Sequence, residues 1–240
     1  MSSKSKVQSS KLPFVFCNFA MTADGKIAFA KENFVPFSSR RDRNHMMELR
    51  ATANAVICGA RTVEVTETTL GSGGKKYQRQ RLNSGLAEFP LRVIVSGSGS
   101  INPAAKIFQK RISPIIILTT SRAPAKKLAQ LRKLADDVEI FGKLEIDFAA
   151  AFRWLREKWN VRRLLGEGGG ELNDALIRAG LMDEIHLTIC PKIFGGRGAP
   201  TLADGEGFST LAQSEQFQLK SFHNFKGELF TVFSKRNSSD

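Results

Sequence analysis

Short apolar runs, each closed by small polar residues, alternate along this chain with stretches of helical spacing. Ala55-Val56-Ile57-Cys58 closes on Gly59, Leu91–Val95 on Ser96-Gly97-Ser98-Gly99, Ile115-Ile116-Ile117-Leu118 on Thr119-Thr120-Ser121, and 161–165 on Gly166. Runs this short and this rich in Val and Ile predict strands buried on both faces. Between them, 40–53 has helical spacing behind Ser39, a predicted N-cap. Pro124 is placed to start a helix through Leu134. A helical stripe covers 148–159, and 171–179 runs to Gly180, a natural helix stop. Strands separated by crossover helices must pair in parallel. The first strand, 14–19, ends in Thr22-Ala23-Asp24-Gly25. After Gly180 the pattern changes to a strand at Glu184–Cys190, a Gly/Pro loop at 191–207 and a closing hairpin at 215–222 and 227–234. The expected fold is therefore α/β, a mostly parallel central sheet flanked by helices with a C-terminal antiparallel hairpin. Residues 71–89, rich in Gly, Lys, Gln, Arg and Ser and without apolar period, read as a long loop.

The 240 residues suit one large domain, expected over 12–235, with a flexible leader at 1–11 and a flexible tail at 236–240. The longest clean apolar stretch, 115–118, is far below the ~20 residues that span a membrane. Leu12-Pro13-Phe14-Val15-Phe16 is too short for a secretory signal and runs into Asn18 and Asp24. Cys17, Cys58 and Cys190 are widely spaced and form no zinc pattern, so no metal is expected, and a reducing cytoplasm fits. The formal net charge of +13 raises nucleic acid, a membrane surface or a small anion as partner. Much of the surplus falls in predicted coil, at Lys4, Lys6, Lys11, Lys75, Lys76, Arg79, Arg81, Lys235 and Arg236. Eighteen of the aromatics are Phe and one is Tyr, which suits a core and argues against a base-stacking platform.

Ligands of open α/β sheets bind beyond the carboxyl ends of the strands. There, Gly166-Glu167-Gly168-Gly169-Gly170 precedes a helix, and bare backbone at a helix start lets N–H groups converge on a phosphate. The stretch is neither the dinucleotide fingerprint, because Glu171 stands at the third glycine position, nor a phosphate loop. A plain turn needs one or two glycines, so four in five point to a cradle. Glu167 either caps local N–H groups or faces a ligand. Asp24 is a turn residue unless it lies in a cleft. Arg50, following Arg40, Arg41 and Arg43, belongs to a solvated basic face or clamps an anionic substrate. His45, His186 and His223 are scattered and read as structural, and Cys58 and Cys190 as small hydrophobes.

Four stretches in order resemble the riboflavin-pathway pyrimidine reductases, most of all the archaeal-type stand-alone enzymes. They are Asn18-Phe-Ala-Met-Thr-Ala-Asp-Gly-Lys26; Arg50-Ala51 leading to Gly59-Ala-Arg-Thr-Val63; the 166–170 glycines; and Gly180-Leu-Met-Asp-Glu-Ile185 with Pro191-Lys-Ile-Phe-Gly-Gly196. Ala199-Pro200-Thr201 and Asp204-Gly-Glu-Gly-Phe208 extend the likeness. The His-x-Glu and Pro-Cys-x-x-Cys pattern of a zinc deaminase half is missing. The resemblance implies a dihydrofolate-reductase-like fold and a homodimeric, NADPH-dependent enzyme. That enzyme reduces the ribosylamino side chain of a pyrimidine 5′-phosphate to ribitylamino by hydride transfer to sugar C1′. It further implies cofactor contacts at Ala20, Thr62, Thr66, Val95, Ser96, Gly97, Gly168, Gly169, Gly170, Glu171 and Leu172. Substrate contacts are implied at Asn18, Asp24, Ser38, Arg50 and Glu167, with Asp24 and Glu167 as the catalytic pair and Asp24 handling a proton. Thr66 and Ser96-Gly97 depart from the Asp and Asp-Ser of many relatives. Hydroxyls and one cation at Ser96-Gly97-Ser98 and Thr119-Thr120-Ser121-Arg122, with no acid, suit NADPH. Asn18, where bacterial types have Lys, leaves the diaminopyrimidinone and uracil forms of the substrate both open. Two other readings stand beside this one: a reductase of the same fold acting on another pteridine or carbonyl substrate, and a basic, non-enzymatic nucleotide or nucleic-acid binder.

Overall fold

A computed structural model describes residues 12–30 and 35–236; the expected leader and residues 237–240 of the expected tail lie outside the described residues. The first elements are β1 (Phe14–Thr22) and α1 (Arg40–Arg50). Ser39 caps α1 as expected, its Oγ accepting from Arg41 N at 3.1 Å and Asp42 N at 3.3 Å. The chain divides into two compact units, one formed by the stretch up to Phe14 with Arg50–Leu164, the other by Val15–Leu49 with Leu165 onward.

In the first unit, β2 (Ala55–Gly59), β3 (Leu91–Val95), β4 (Ile115–Thr119) and β5 (Asp137–Ile140) pair in parallel in the order β5-β4-β3-β2. Val56, Ile57, Val93, Ile94, Ile116 and Ile117 are fully buried, as expected of strands covered on both faces. The sequence reading missed β5, whose Asp137 and Glu139 lack the apolar run because it is the last strand of this set. Helices α2 (Ala60–Thr66), α3 (Lys75–Asn83), α4 (Lys106–Gln109), α5 (Ala125–Leu131) and α6 (Phe148–Lys158) connect the strands.

The 71–89 segment corrects the sequence reading: it is not one long loop but contains α3. Its inward residues are Tyr77 and Arg81, so no apolar period announces the helix. Arg81 is completely buried and donates to Arg50 O and Ala53 O at 2.6 Å each and to Ala87 O at 2.8 Å. Arg92, in the middle of β3, is equally buried and donates to Ile107 O, Lys110 O and Ser113 O. Burial holds both guanidinium groups below their usual range, at about 10. They stay cationic at neutral pH, each acting as a fastener of backbone carbonyls.

β6 (Arg163–Gly166) carries the chain from the first unit into the second, where α7 (Gly170–Arg178), β7 (Glu184–Cys190), β8 (Phe217–Phe225) and β9 (Glu228–Lys235) follow. The second unit orders its strands β1-β7-β9-β8; β1 and β7 are parallel, and β9 is antiparallel to both neighbours. The hairpin is the one expected. α7 stops where the sequence says: Gly180 has φ +65° and Leu181 N donates to Leu176 O at 2.9 Å. The fold is thus mixed α/β, with mostly parallel strands and a C-terminal antiparallel hairpin. Among the described residues, no helix is long and apolar enough to cross a membrane.

Candidate functional site

Beyond β6 the chain passes Glu167, half-buried, then Gly168 and Gly169, and enters α7. Gly168 has φ +97°, which L side chains rarely adopt, and the Gly168–Gly169 peptide is cis. Gly169 is the N-cap of a nine-residue helix and provides no side-chain hydrogen bond. A helix start left so, at the positive end of the helix dipole, suits an anion. One of the four glycines has another reason: a Cβ on Gly170 would lie 2.8 Å from both Thr201 O and Asp204 Oδ2, whereas one on Gly166 would meet Cys17 Cβ at 3.4 Å, an ordinary contact. The count of glycines therefore does not itself argue for a phosphate; Gly168, Gly169 and the uncapped helix start carry that reading. Glu171 is exposed and Leu172 buried in the first turn of α7.

A loop over 201–207 is fastened to the same helix. Asn173 Nδ2 donates to Leu202 O at 2.8 Å, and Asp174 accepts from Gly207 N at 3.1 Å and from Arg178 Nε at 2.8 Å. Asp174 Oδ2 sits 2.0 Å from where a Gly205 Cβ would be, so the Asp204-Gly205-Glu206-Gly207 motif is glycine-bearing because the loop lies on α7.

Asp24 closes the turn after β1. Its Oδ1 accepts from Thr22 Oγ1 at 2.5 Å and Phe194 N at 3.2 Å, and its Oδ2 from Gly195 N at 2.7 Å. The Thr22 hydroxyl and these two amides bring its carboxyl down to about 2. Held this way, the carboxylate ties the 18–26 and 191–196 motifs together. Ala23 N to Lys192 O and Ile27 N to Pro200 O, both 2.9 Å, complete that seam.

Asn18 points to a ligand more directly. It lies on β1, 7% exposed, and its Oδ1 has no hydrogen-bond partner among the described residues. A buried acceptor in this condition costs about 1–3 kcal/mol unless something donates to it. The contact of Gly166 with Cys17 sets the exit of β6 beside this part of β1. Ala20, two residues on, is half-buried opposite Thr188, and the Ser38 carbonyl accepts from Arg43 Nη1 at 3.3 Å.

The histidines correct the sequence reading. His45 Nε2 lies 3.3 Å from His186 Nδ1, and His186 Nε2 lies 2.7 Å from Glu184 Oε1, whose other oxygen accepts from Lys220 Nζ at 2.6 Å. His186 is also the register partner of Asn18. Burial, then the neighbouring His186, lowers the His45 pKa. Burial would raise that of Glu184, but the hydrogen bonds from Lys220 and His186 bring it down. His223 stands apart, stacked on Phe230.

In the first unit, Arg50 is buried, not on a solvated face, and its Nη1 donates to Gly71 O at 2.8 Å. Thr62 and Thr66 are half-buried on α2, and the Thr66 hydroxyl donates to Thr62 O at 2.8 Å. Val95, Ser96 and Gly97 stand at and after the end of β3, with Ser96 buried and Val95 and Gly97 half-buried.

A family model described as the RibD C-terminal domain matches residues 13–230. The chain belongs to this family. Among its relatives, the 2,5-diamino-6-ribosylamino-4(3H)-pyrimidinone 5′-phosphate reductase of Archaeoglobus fulgidus is 32% identical over 206 residues, 86% of this chain and 93% of the relative. The protein of the same name from Methanothermobacter thermautotrophicus is 31% identical over 222 residues, 92% of this chain and 98% of the relative. Of solved structures, a pyrimidine reductase-like protein from Corynebacterium diphtheriae matches with a TM-score of 0.80 at 19% identity, covering 94% of this chain and 93% of the other. Acinetobacter baumannii RibD matches with a TM-score of 0.73 at 20% identity, over 97% of this chain but only 60% of that longer one. The resemblance to riboflavin-pathway reductases is thereby established. In this RibD C-terminal domain the sequence reading missed three local features: the orphaned Asn18 oxygen, the His45–His186 contact and the seating of Gly205 on Asp174. The first two need the placement of β1 and of α1 against β7; only the glycine itself signalled the third.

Proposed function

We propose that this chain is an NADPH-dependent reductase that converts the ribosylamino side chain of a pyrimidine 5′-phosphate to ribitylamino. The observation that carries this reading is the uncapped start of α7 behind Gly168 and Gly169, next to a strand on which buried Asn18 keeps an unpartnered acceptor. Gly168 to Leu172 hold the cofactor diphosphate by backbone N–H groups. NADPH supplies, when bound, the hydride that C1′ of the opened sugar takes up. Ala20, Thr62, Thr66, Val95, Ser96 and Gly97 make the remaining cofactor contacts. Asn18 accepts from an N–H of the pyrimidine. Ser38 and Arg50 belong to the substrate side, Arg50 while holding Gly71 in place. Asp24 and Glu167 are the catalytic carboxylates, with Asp24, in the turn that its own hydrogen bonds hold in shape, handling the proton that accompanies reduction.

The same reading makes the protein a cytoplasmic homodimer. β8 is a long strand with one unpaired edge, and Leu219, Phe222 and Leu229 are exposed on the hairpin. Such an edge with apolar side chains invites a second copy. The deciding experiment is NADPH oxidation with the diamino-pyrimidinone and the uracil 5′-phosphates, each intact and dephosphorylated. Turnover with one intact phosphate, and a sharp loss on dephosphorylation, is expected. Absence of turnover with all four, together with salt-sensitive DNA binding, would move the protein to a different class.

A further inference from the structure

In the second unit the Gly/Pro loop after β7 gathers two short stretches, 23–29 after β1 and 36–39 before α1. To the first it donates Phe194 N and Gly195 N, both to Asp24, and it accepts from Ile27 N at Pro200 O and from Lys26 Nζ at Ala199 O, 3.2 Å away. To the second it donates Lys192 Nζ, which lies 2.6 Å from Phe37 O. The Phe194 ring touches both stretches. It stacks on Phe29, with centroids 3.9 Å apart and planes 21° from parallel, and meets Phe37 edge-on at 4.9 Å and 72°. Ring contacts of this kind are directional as well as apolar, so they fix orientation and not only proximity. Lys192 spans the same gap, accepting from Ala23 N and donating to Phe37 O, but through a flexible aliphatic stem. Ser38 stands between Phe37 and Ser39, and Ser39 is itself set by capping α1 and by donating its N–H to Glu228 Oε1 at 2.8 Å. One residue therefore bears on Asp24 through its own backbone and on Ser38 through the Phe37 ring.

We infer that Phe194 is a positioning residue of the reaction, holding the proton-handling Asp24 and the substrate-side Ser38 in one fixed relation. The inference rests on the reductase reading given above, which puts Asp24 and Ser38 in the site. Reduction at C1′ needs the proton and the opened sugar to meet in one geometry, and a displacement of about 1 Å costs up to about a hundredfold in rate. Groups carried on two separate stretches keep such a geometry only when something rigid joins the stretches to each other. The Phe29–Phe194–Phe37 cluster is that joint, and Phe194 is its middle member.

The test combines amide hydrogen exchange with steady-state kinetics on the whole protein, for the parent, Phe194→Leu, Phe194→Tyr and Ile193→Ala. Leucine keeps apolar volume, and so the fold, but removes the ring contacts; tyrosine keeps them. Ile193 is in the same loop and 73% exposed, so its truncation controls for a general effect of changing the loop. Phe194→Leu is expected to speed exchange in 22–29 and in 36–41 together, and to lower kcat about tenfold while KM for NADPH stays within about twofold of the parent. Phe194→Tyr and Ile193→Ala should match the parent in both measurements. Faster exchange on one stretch only or on neither, or joint loosening with an unchanged kcat, overturns the inference. A parent that reduces neither pyrimidine 5′-phosphate, yet whose two stretches loosen together in Phe194→Leu, removes the reductase reading and the positioning role with it, while the aromatic joint stands.

Discussion

Gly169 and Asp24 show how much a single position can decide. An Asp at 169 would set a carboxylate against the positive start of α7, where an anion is to be bound. Gly169→Asp should therefore raise Kd for NADPH at least about tenfold, measured by fluorescence titration, with little change in thermal stability. Asp24 titrates from the ordinary 3.8 down to about 2 in the folded protein, so its contribution is fully present above the higher value and is lost as pH falls toward the lower. Asp24→Asn should lower Tm at pH 6, and the gap from the parent should narrow as pH falls through that window. Loss of turnover at unchanged stability would leave Asp24 its part in the chemistry alone. His45 has the same pH direction for a different reason. Depressed in the fold, His45 favours its neutral form; the contribution is present above the free imidazole range near ~6.5 and is lost as pH falls through it. The charges facing it are Arg41, Asp42 and Glu48 on α1 and Glu184 on β7, with Lys220 on β8 behind Glu184. His45→Gln should flatten the fall in Tm between pH 7.5 and pH 5.5, about one unit to either side of that range.

At the scale of elements, the apolar strands and amphipathic helices were legible because each carries its own period. β3 and β4 fall where Leu91–Val95 and 115–118 put them, and Ser39 and Gly180 bound α1 and α7 as their side-chain chemistry requires. α3 was illegible for the converse reason. Its anchor is a cation two of whose partners, Arg50 O and Ala53 O, come from another segment, so no apolar period reports its burial. Arg81→Met should leave three carbonyls without donors and cost about 3 kcal/mol in denaturant unfolding. The glycine stretch before α7 is a mixed case. It marked the right turn, but Gly170 answers to Thr201 and Asp204, neighbours that spacing does not reveal.

For the whole molecule, the prediction concerns assembly. Phe222→Asp with Leu219→Asp, on the exposed hairpin, should convert a dimer to a monomer in sedimentation experiments while each chain stays folded; an unchanged dimer would place the second copy elsewhere. The amino-acid order alone determined the alternation of strands and helices, the closing hairpin and the motif turns at Asp24, Glu167 and Gly180. Hydrophobic period, caps and turn chemistry act over a few residues, and those few are adjacent in sequence. The tertiary structure alone decided that Asp24 is a locked carboxylate, that Arg50 and Arg81 are buried fasteners, and that His45 meets His186. Each of these depends on desolvation and on hydrogen bonds between segments tens of residues apart, which no local pattern encodes.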